Sequence, residues 1–205
     1  MSSPKKGCLI VLSGPSGAGK DSILSKILKD RKDLKLSVSQ TTRLPRKGEV
    51  QGKDYFFVAK EDFKTMVSNG QMLEYACYCG NYYGTSLLQV SKEINDGNSV
   101  ILEIEVQGAQ QIINNYKNVL SIFVLPPSLK VLRERLESRG TDSKEVIDMR
   151  VERARQEIKM AENYEYIVVN DDLDRCAKDI LKIIDSRCMK SCNMKYLIDE
   201  VIKND

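Results

Sequence analysis

Four short apolar runs punctuate the chain: 8-CLIVL-12, 100-VILEIEV-106, 121-SIFVL-125 and 166-YIVVN-170. Each has the length and β-branched content of a buried strand. Between them the apolar positions change period. Ile23, Leu24, Ile27 and Leu28 share one helical face, and Leu129, Leu132 and Leu136 another, at the three-to-four-residue spacing of amphipathic helices. Strands alternating with helices predict an α/β fold, a mostly parallel sheet flanked by helices on both faces.

Two segments break that rhythm. Within residues 34–86, the stretches 34-LKLSVSQTT-42, 55-YFFVA-59 and 72-MLEYACY-78 are strand-like, and 80-GNYYGT-85 is turn-rich and aromatic, which predicts a smaller β-rich insertion. From Pro126-Pro127 to about Asn163 the composition is helical, interrupted at 139-RGTD-142 by a glycine turn and an N-cap. That predicts a helical hairpin carrying several arginines. The expected organisation is a core of residues 1–33, 87–125 and 164–205, an insertion at 34–86 and the hairpin at 126–163. A core helix is expected near 173–187. Met194, Leu197, Ile198, Val201 and Ile202 mark one more amphipathic helix in the tail.

Composition narrows the classes. At 205 residues, 41% hydrophobic and 30% charged, the chain has the profile of a soluble globular protein with a substantial core. No segment approaches the apolar length of a membrane span, and the run in MSSPKKGCLIVL is too short for a secretory signal. The expectation is a cytoplasmic protein with no membrane partner. A net charge of +3 implies no general grip on nucleic acid, although 43-RLPRK-47 and 133-RERLESR-139 are locally basic. The six cysteines, Cys8, Cys77, Cys79, Cys176, Cys188 and Cys192, lack zinc-ribbon spacing and read as reduced structural thiols. There is no histidine. This excludes Ser-His-Asp and Cys-His catalysis and the His-based zinc hydrolases.

The stretch 13-SGPSGAGKDS-22 lies between the first strand and the first helix. Gly14, Gly19 and Lys20 fit G-x-x-x-x-G-K, the phosphate-binding loop, in which loop backbone N–H groups cradle phosphates and the lysine reaches the β/γ-phosphates. Asp21 stands where a hydroxyl is usual. Consecutive helical residues point about 100° apart, so Asp21 and Ser22 cannot both face one phosphate oxygen. Either Asp21 binds Mg²⁺ directly, or Ser22 carries the hydroxyl's role toward Mg²⁺ and Asp21 stabilises the positive end of the helix dipole; the second is the expectation, because a carboxylate bound there would also lie close to the phosphates. In the insertion, Arg43 and Arg46 stand three apart with Tyr55, Tyr83 and Thr85 downstream. Guanidinium forks and tyrosine hydroxyls suit a second phosphate; a solvated basic loop is the alternative.

Several long motifs then occur in order: SGPSGAGK, SVSQTTRLPRKGEVQGKDYFF, EYACYCGNYYGT, ILEIEVQG, PPSLKVLRERLESRGTD and YIVVNDDLD. Over roughly residues 7–187 the chain resembles the guanylate kinases. The resemblance implies a P-loop core, a GMP-binding insertion and a mobile lid at 126–163. It implies an ATP site of Gly14, Pro15, Ser16, Gly17, Ala18, Gly19, Lys20, Asp21 and Ser22, with Asn170 and Asp171 near the ATP base. It implies that Arg43, Arg46, Tyr55 and Tyr83 hold the GMP phosphate while Ser39, Glu74, Thr85 and Glu105 read guanine. Guanine offers N1–H and its amine as donors, which carboxylates accept, and O6 as an acceptor. Glu103, two residues from Glu105 on the same expected strand, points to the same face and is implied to reach Mg²⁺, directly or through water.

Arg135, Arg139 and Arg150 resemble the family's lid arginines, which close on the transferring phosphoryl with Lys20 and Arg43. The alternative for Arg135 and Arg139 is pairing with Glu134 and Glu137 on a solvated helix, which also suits Arg133. The implied reaction is transfer of the γ-phosphoryl of ATP-Mg to GMP, giving ADP and GDP. It needs no imidazole, because the second pKa of a phosphate monoester is near ~6 and the acceptor is already largely deprotonated. The alternative is a catalytically inactive module of the same fold that binds phosphorylated peptides.

Overall fold

The computed structural model describes residues 7–78, 80–140 and 142–203. In chain order the first elements are β1 (Leu9–Ser13), α1 (Lys20–Asp30), β2 (Leu34–Leu36), β3 (Gln40–Thr41), β4 (Phe56–Phe57) and α2 (Lys60–Ser68). Next come β5 (Met72–Tyr78), β6 (Asn81–Ser86), α3 (Leu87–Asn95), β7 (Ser99–Glu103), α4 (Val106–Asn115) and β8 (Val119–Leu125). The chain continues through α5 (Leu129–Ser138), α6 (Lys144–Lys159), a 3₁₀ turn (Met160–Asn163), β9 (Tyr166–Val169), α7 (Leu173–Cys188) and α8 (Lys195–Lys203).

Five strands form a parallel sheet in the order β2-β7-β1-β8-β9. Strand alternation sorts its side chains between two cores. Ile10, Leu12, Ile101, Leu120, Ile122 and Val124 pack with Ile23, Leu24 and Ile27 of α1 and with Ala177, Ile180 and Ile184 of α7. Val11, Val100, Leu102 and Phe123 face the other way, onto Val90 of α3 and Ala109 and Ile112 of α4. Burying each such Leu, Ile or Phe contributes roughly 1.5–3 kcal/mol, so the sheet is anchored from both sides. Its central strand, β1, runs directly into the glycine loop.

The second sheet, β4-β3-β6-β5, holds the antiparallel pairs β3–β6 and β5–β6. Helix α2 closes it by burying Phe63, which stacks on Tyr82 at 5.5 Å between ring centroids. Helices α5 and α6 form the expected hairpin, packed through Leu132, Leu136, Ile147, Val151 and Ala154. Arg133 joins the two helices through Asp148 at 2.6 Å and lies 4.0 Å from Glu137.

Four expectations are corrected. Residues 34–36 pair with β7 in the parallel sheet, so the second sheet begins only at β3. The run 166–170 is an edge strand rather than a buried one: Val168 is buried while Tyr166, Ile167 and Val169 are exposed. The cap of α6 is Ser143, whose hydroxyl accepts from the Val146 N–H at 3.5 Å. Strand β7 ends at Glu103, and Glu105 is the residue preceding α4. Cys79, Thr141 and the two chain ends lie outside the described residues. The tail helix forms as α8 and leaves Leu197, Ile198, Val201 and Ile202 exposed. Among the described residues no helix is long and apolar enough to cross a membrane.

Candidate active site

The loop after β1 turns because its glycines take left-handed backbone. Gly19 sits at φ 92° immediately before α1, and a Cβ there would strike the Asn170 side-chain amide. That amide is buried and donates to the Ala18 carbonyl at 2.7 Å. Arg135 Nη2 donates to the Asn170 carbonyl at 2.8 Å, and Nη1 lies 3.4 Å from the Ala18 carbonyl. Residues from α5 and from the end of β9 therefore clamp the loop. Asn170 and Arg135, implied to serve the ATP base and the phosphoryl group, here donate to backbone: Asn170 to Ala18 of the loop, and Arg135 chiefly to Asn170 itself and more weakly to Ala18. Asp171 instead pairs with Arg175.

Lys20 opens α1 and folds back over the loop, donating to the carbonyls of Gly14 at 2.7 Å and Pro15 at 3.3 Å. Burial pushes its pKa down, opposed first by Glu103 and then by Asp21. Around it lies a cavity of about 340 Å³, walled by Gly14, Lys20, Asp21, Glu103, Arg139 and Arg150 among others. Arg150 Nη1 reaches Asp142 at 3.3 Å and the Ser16 hydroxyl at 3.4 Å. Asp21, expected to be a bystander, lines this wall and Ser22 does not; both side chains are exposed on α1. Glu103 is pushed up to about 7 by burial first and then by the facing Asp21 carboxylate, with Lys20 pulling it back.

A second cavity of about 250 Å³ is lined by Ser39, Tyr55, Glu74, Tyr83, Glu103 and Glu105 among others. Glu103, Ile104 and Glu105 belong to both cavities, so the two share a wall. Glu74 is only 5% exposed. Its Oε1 accepts from the Thr85 hydroxyl at 2.7 Å across the β5–β6 pair. Burial pushes its pKa up to about 7, against the Thr85 bond. Gly108 of α4 makes room for it, since a Cβ there would run into the Glu74 carboxylate. At the rim, Tyr55 and Tyr83 meet edge to face at 6.0 Å, with the Arg43 guanidinium 5.4 Å from the Tyr55 ring centre. Arg46 is exposed nearby.

Three participants escaped the sequence reading. Glu49 grips Arg43 in a two-pronged pair at 2.8 and 2.9 Å and accepts from the Arg46 N–H at 2.7 Å. Arg153 on α6 binds Glu105 at 2.6 Å and Glu157 at 2.8 Å. Gly108 was visible only as a glycine inside a helical stretch, and neither charge belonged to a recognisable spacing.

Comparison with known proteins matches this geometry to a family. The guanylate kinase family model matches residues 6–187. The chain belongs to the guanylate kinase family. It is 47% identical over 199 residues to a guanylate kinase of Lactococcus lactis subsp. lactis, covering 97% of this chain and 94% of that protein. It is 46% identical to one from Clostridioides difficile, covering 98% of both. A crystal structure of guanylate kinase from Anaplasma phagocytophilum superposes with a TM-score of 0.74 at 35% identity, covering 92% of this chain and 90% of that one. Within this guanylate kinase fold the parallel sheet presents the loop and Glu103 at the carboxyl ends of β1 and β7, where ligands of open α/β sheets bind.

Proposed function

We propose that this guanylate kinase family member transfers the γ-phosphoryl of ATP-Mg to GMP in the cytoplasm, giving ADP and GDP. The carrying observation is the pair of cavities that share the wall Glu103–Glu105: one opens on the glycine loop and Lys20, the other on a buried carboxylate suited to guanine. ATP's phosphates lie in the loop of Gly14 to Gly19 at the N-terminus of α1, whose N–H groups and dipole favour anions. Lys20 leaves the Gly14 and Pro15 carbonyls for the β/γ-phosphates. Arg139 and Arg150, on the lid side of the same cavity, approach the moving phosphoryl, and Arg135 holds the loop in shape.

GMP enters the second cavity. Glu74 and Glu105 accept the guanine donors, with Ser39 and Thr85 completing the ring of polar groups. Tyr55, Tyr83, Arg43 and Arg46 hold the GMP phosphate, and Arg43 exchanges its Glu49 partner for that phosphate. Catalysis is then alignment of two nucleotides and neutralisation of charge as the lid excludes water.

The oxygen donors near the loop fit Mg²⁺. Among the described residues no cluster of three acidic or thiol side chains forms a self-sufficient metal cage. Mg²⁺ takes one or two carboxylates and keeps waters and substrate phosphates as its other ligands. Glu103 and the Ser22 hydroxyl are the groups implied by the sequence, and the place of Asp21 beside Glu103 in the wall of the loop cavity adds Asp21 as a candidate partner. When bound, the ion supplies charge neutralisation on the β/γ-phosphates.

The test is ADP formation from ATP-Mg with GMP, AMP, CMP and UMP as acceptors. GMP is expected to turn over and AMP to react on the order of 10⁴-fold less efficiently, since adenine presents an acceptor to Glu74 and leaves a buried group unpaired. Comparable turnover of AMP overturns the guanine reading, and no ADP with any acceptor overturns the kinase.

A further inference from the structure

At the end of the sheet opposite the glycine loop, two thiols meet that the reaction does not use. Cys8 immediately precedes β1 and is 6% exposed. Cys188 is the last residue of α7 and is half-buried. Their sulfurs lie 3.7 Å apart although the residues are 180 positions apart in the chain. The pair is held in place. The Cys8 N–H donates to the Ser99 hydroxyl at 3.0 Å, and that hydroxyl lies 3.8 Å from the Cys188 sulfur. Asn193 spans the Cys8 sulfur at 3.5 Å and the Arg187 carbonyl at 2.8 Å. A cavity of about 320 Å³ lined by Arg31, Ser99, Asp185 and Cys188 among others opens onto the second thiol. Among the described residues these thiols join no metal-binding cluster.

We propose that Cys8 and Cys188 are a peroxide-responsive dithiol that closes into a reversible disulfide, stapling the first strand of the core to its last long helix. The chemistry balances with hydrogen peroxide as oxidant. The Cys188 thiolate attacks one peroxide oxygen, the O–O bond breaks, and hydroxide leaves to become water on taking up a proton. The Cys188 sulfenic acid that results is attacked by the Cys8 sulfur, forming the S–S bond and expelling a second water with the Cys8 proton. Both sulfurs are oxidised and both peroxide oxygens are reduced. A small dithiol reverses the step. The order of attack follows the site. Cys188 is pushed down to about 6, chiefly by its hydrogen bond with Cys8 and then by that with Ser99, against burial. Cys8 is pushed up by the same hydrogen bond and by burial. Cys188, the more exposed of the two and part of the wall of its cavity, meets the peroxide first, and Cys8, 6% exposed, resolves the sulfenic acid.

The test treats the reduced, full chain with hydrogen peroxide, alkylates the remaining thiols and maps peptides without reduction. The expected product has lost two hydrogen atoms and yields one peptide pair joining Cys8 to Cys188, absent after dithiothreitol. The Cys188→Ser variant forms no such pair, and Cys192→Ser forms it unchanged; Cys188→Ala repeats the control at the same half-buried position. Closing so long a loop restricts the unfolded chain, and the oxidised protein is expected to melt about 5 °C or more above the reduced one. Cys188 trapped as sulfinic acid while Cys8 remains alkylatable, a link to Cys192 or between two chains, or a linked pair with no rise in Tm overturns the proposal.

Discussion

Glu74 concentrates the specificity question in a single side chain. Its pKa is raised from 4.5 to about 7 by burial and then by the Glu105 carboxylate, against hydrogen bonds from the Thr85 hydroxyl and backbone. In the proposed guanine site only the ionised form of Glu74 would accept both donors, so the KM for GMP is expected to rise as pH falls through about 7, while the KM for ATP stays level. The GMP phosphate itself titrates near ~6, and Glu74→Gln separates the two: its GMP KM is high throughout and loses the step near 7. The linked stability effect has the opposite direction. A carboxyl whose pKa is higher when folded contributes most below its unfolded value, and that contribution is lost as pH rises from 4.5 to about 7. The Tm of the nucleotide-free protein is therefore expected to fall over that window, and to fall less in Glu74→Gln.

The neighbouring question concerns Asp21 and Ser22, and it is decided by ATP and Mg²⁺ titrations of Asp21→Asn and Ser22→Ala. The wall position of Asp21 against Glu103 predicts that Asp21→Asn raises the Mg²⁺ requirement more than a helix-end change would. A mere dipole role is worth about 0.3–1 kcal/mol and leaves the Mg²⁺ dependence unchanged. Loss confined to Ser22→Ala returns the role to the hydroxyl.

At the scale of elements, the loop's shape depends on partners outside it. Asn170→Ala removes a buried donor from the Ala18 carbonyl and is expected to cost about 1–3 kcal/mol, or about 2–4 °C of Tm per kcal/mol, with a raised KM for ATP and unchanged GMP binding. The glycine loop itself was legible, because strand, glycines, lysine and helix occur in fixed order. Its clamp was not, because Arg135 and Asn170 lie 117 and 152 residues from Ala18 and no local pattern encodes that pairing. The same limit explains the secondary structure that differed. Strand β2 contributes three residues and buries only Leu34, too little to show which sheet it joins. Helix α2 buries only Phe63, so its polar sequence lacked a readable stripe. The run at β9 looked buried because β-branched residues favour strands at an edge as well as in a core. Glu74 and Thr85 were placed by resemblance, and the physical reason for their pairing emerges only from the β5–β6 register, which sets them opposite each other.

In the whole molecule the two cavities meet at Glu103–Glu105 while their other walls come from different elements: the loop, α1 and the α5–α6 hairpin for one, the second sheet and α4 for the other. Donor and acceptor binding should therefore be separable by mutation even though the reaction joins them. Lys20 tests this, since it touches the loop carbonyls and is absent from the residues lining the second cavity. Lys20→Ala is expected to lower turnover at saturating substrates at least 10²-fold, the scale of losing one charge-stabilising donor in a closed site, while calorimetric GMP affinity stays near that of the unaltered protein. A loss of GMP affinity with turnover preserved at saturating GMP would reverse the assignment of the two cavities. Loss of both would show that the shared wall couples the sites through Lys20, because Glu103, which pulls on Lys20 in one cavity, also lines the other.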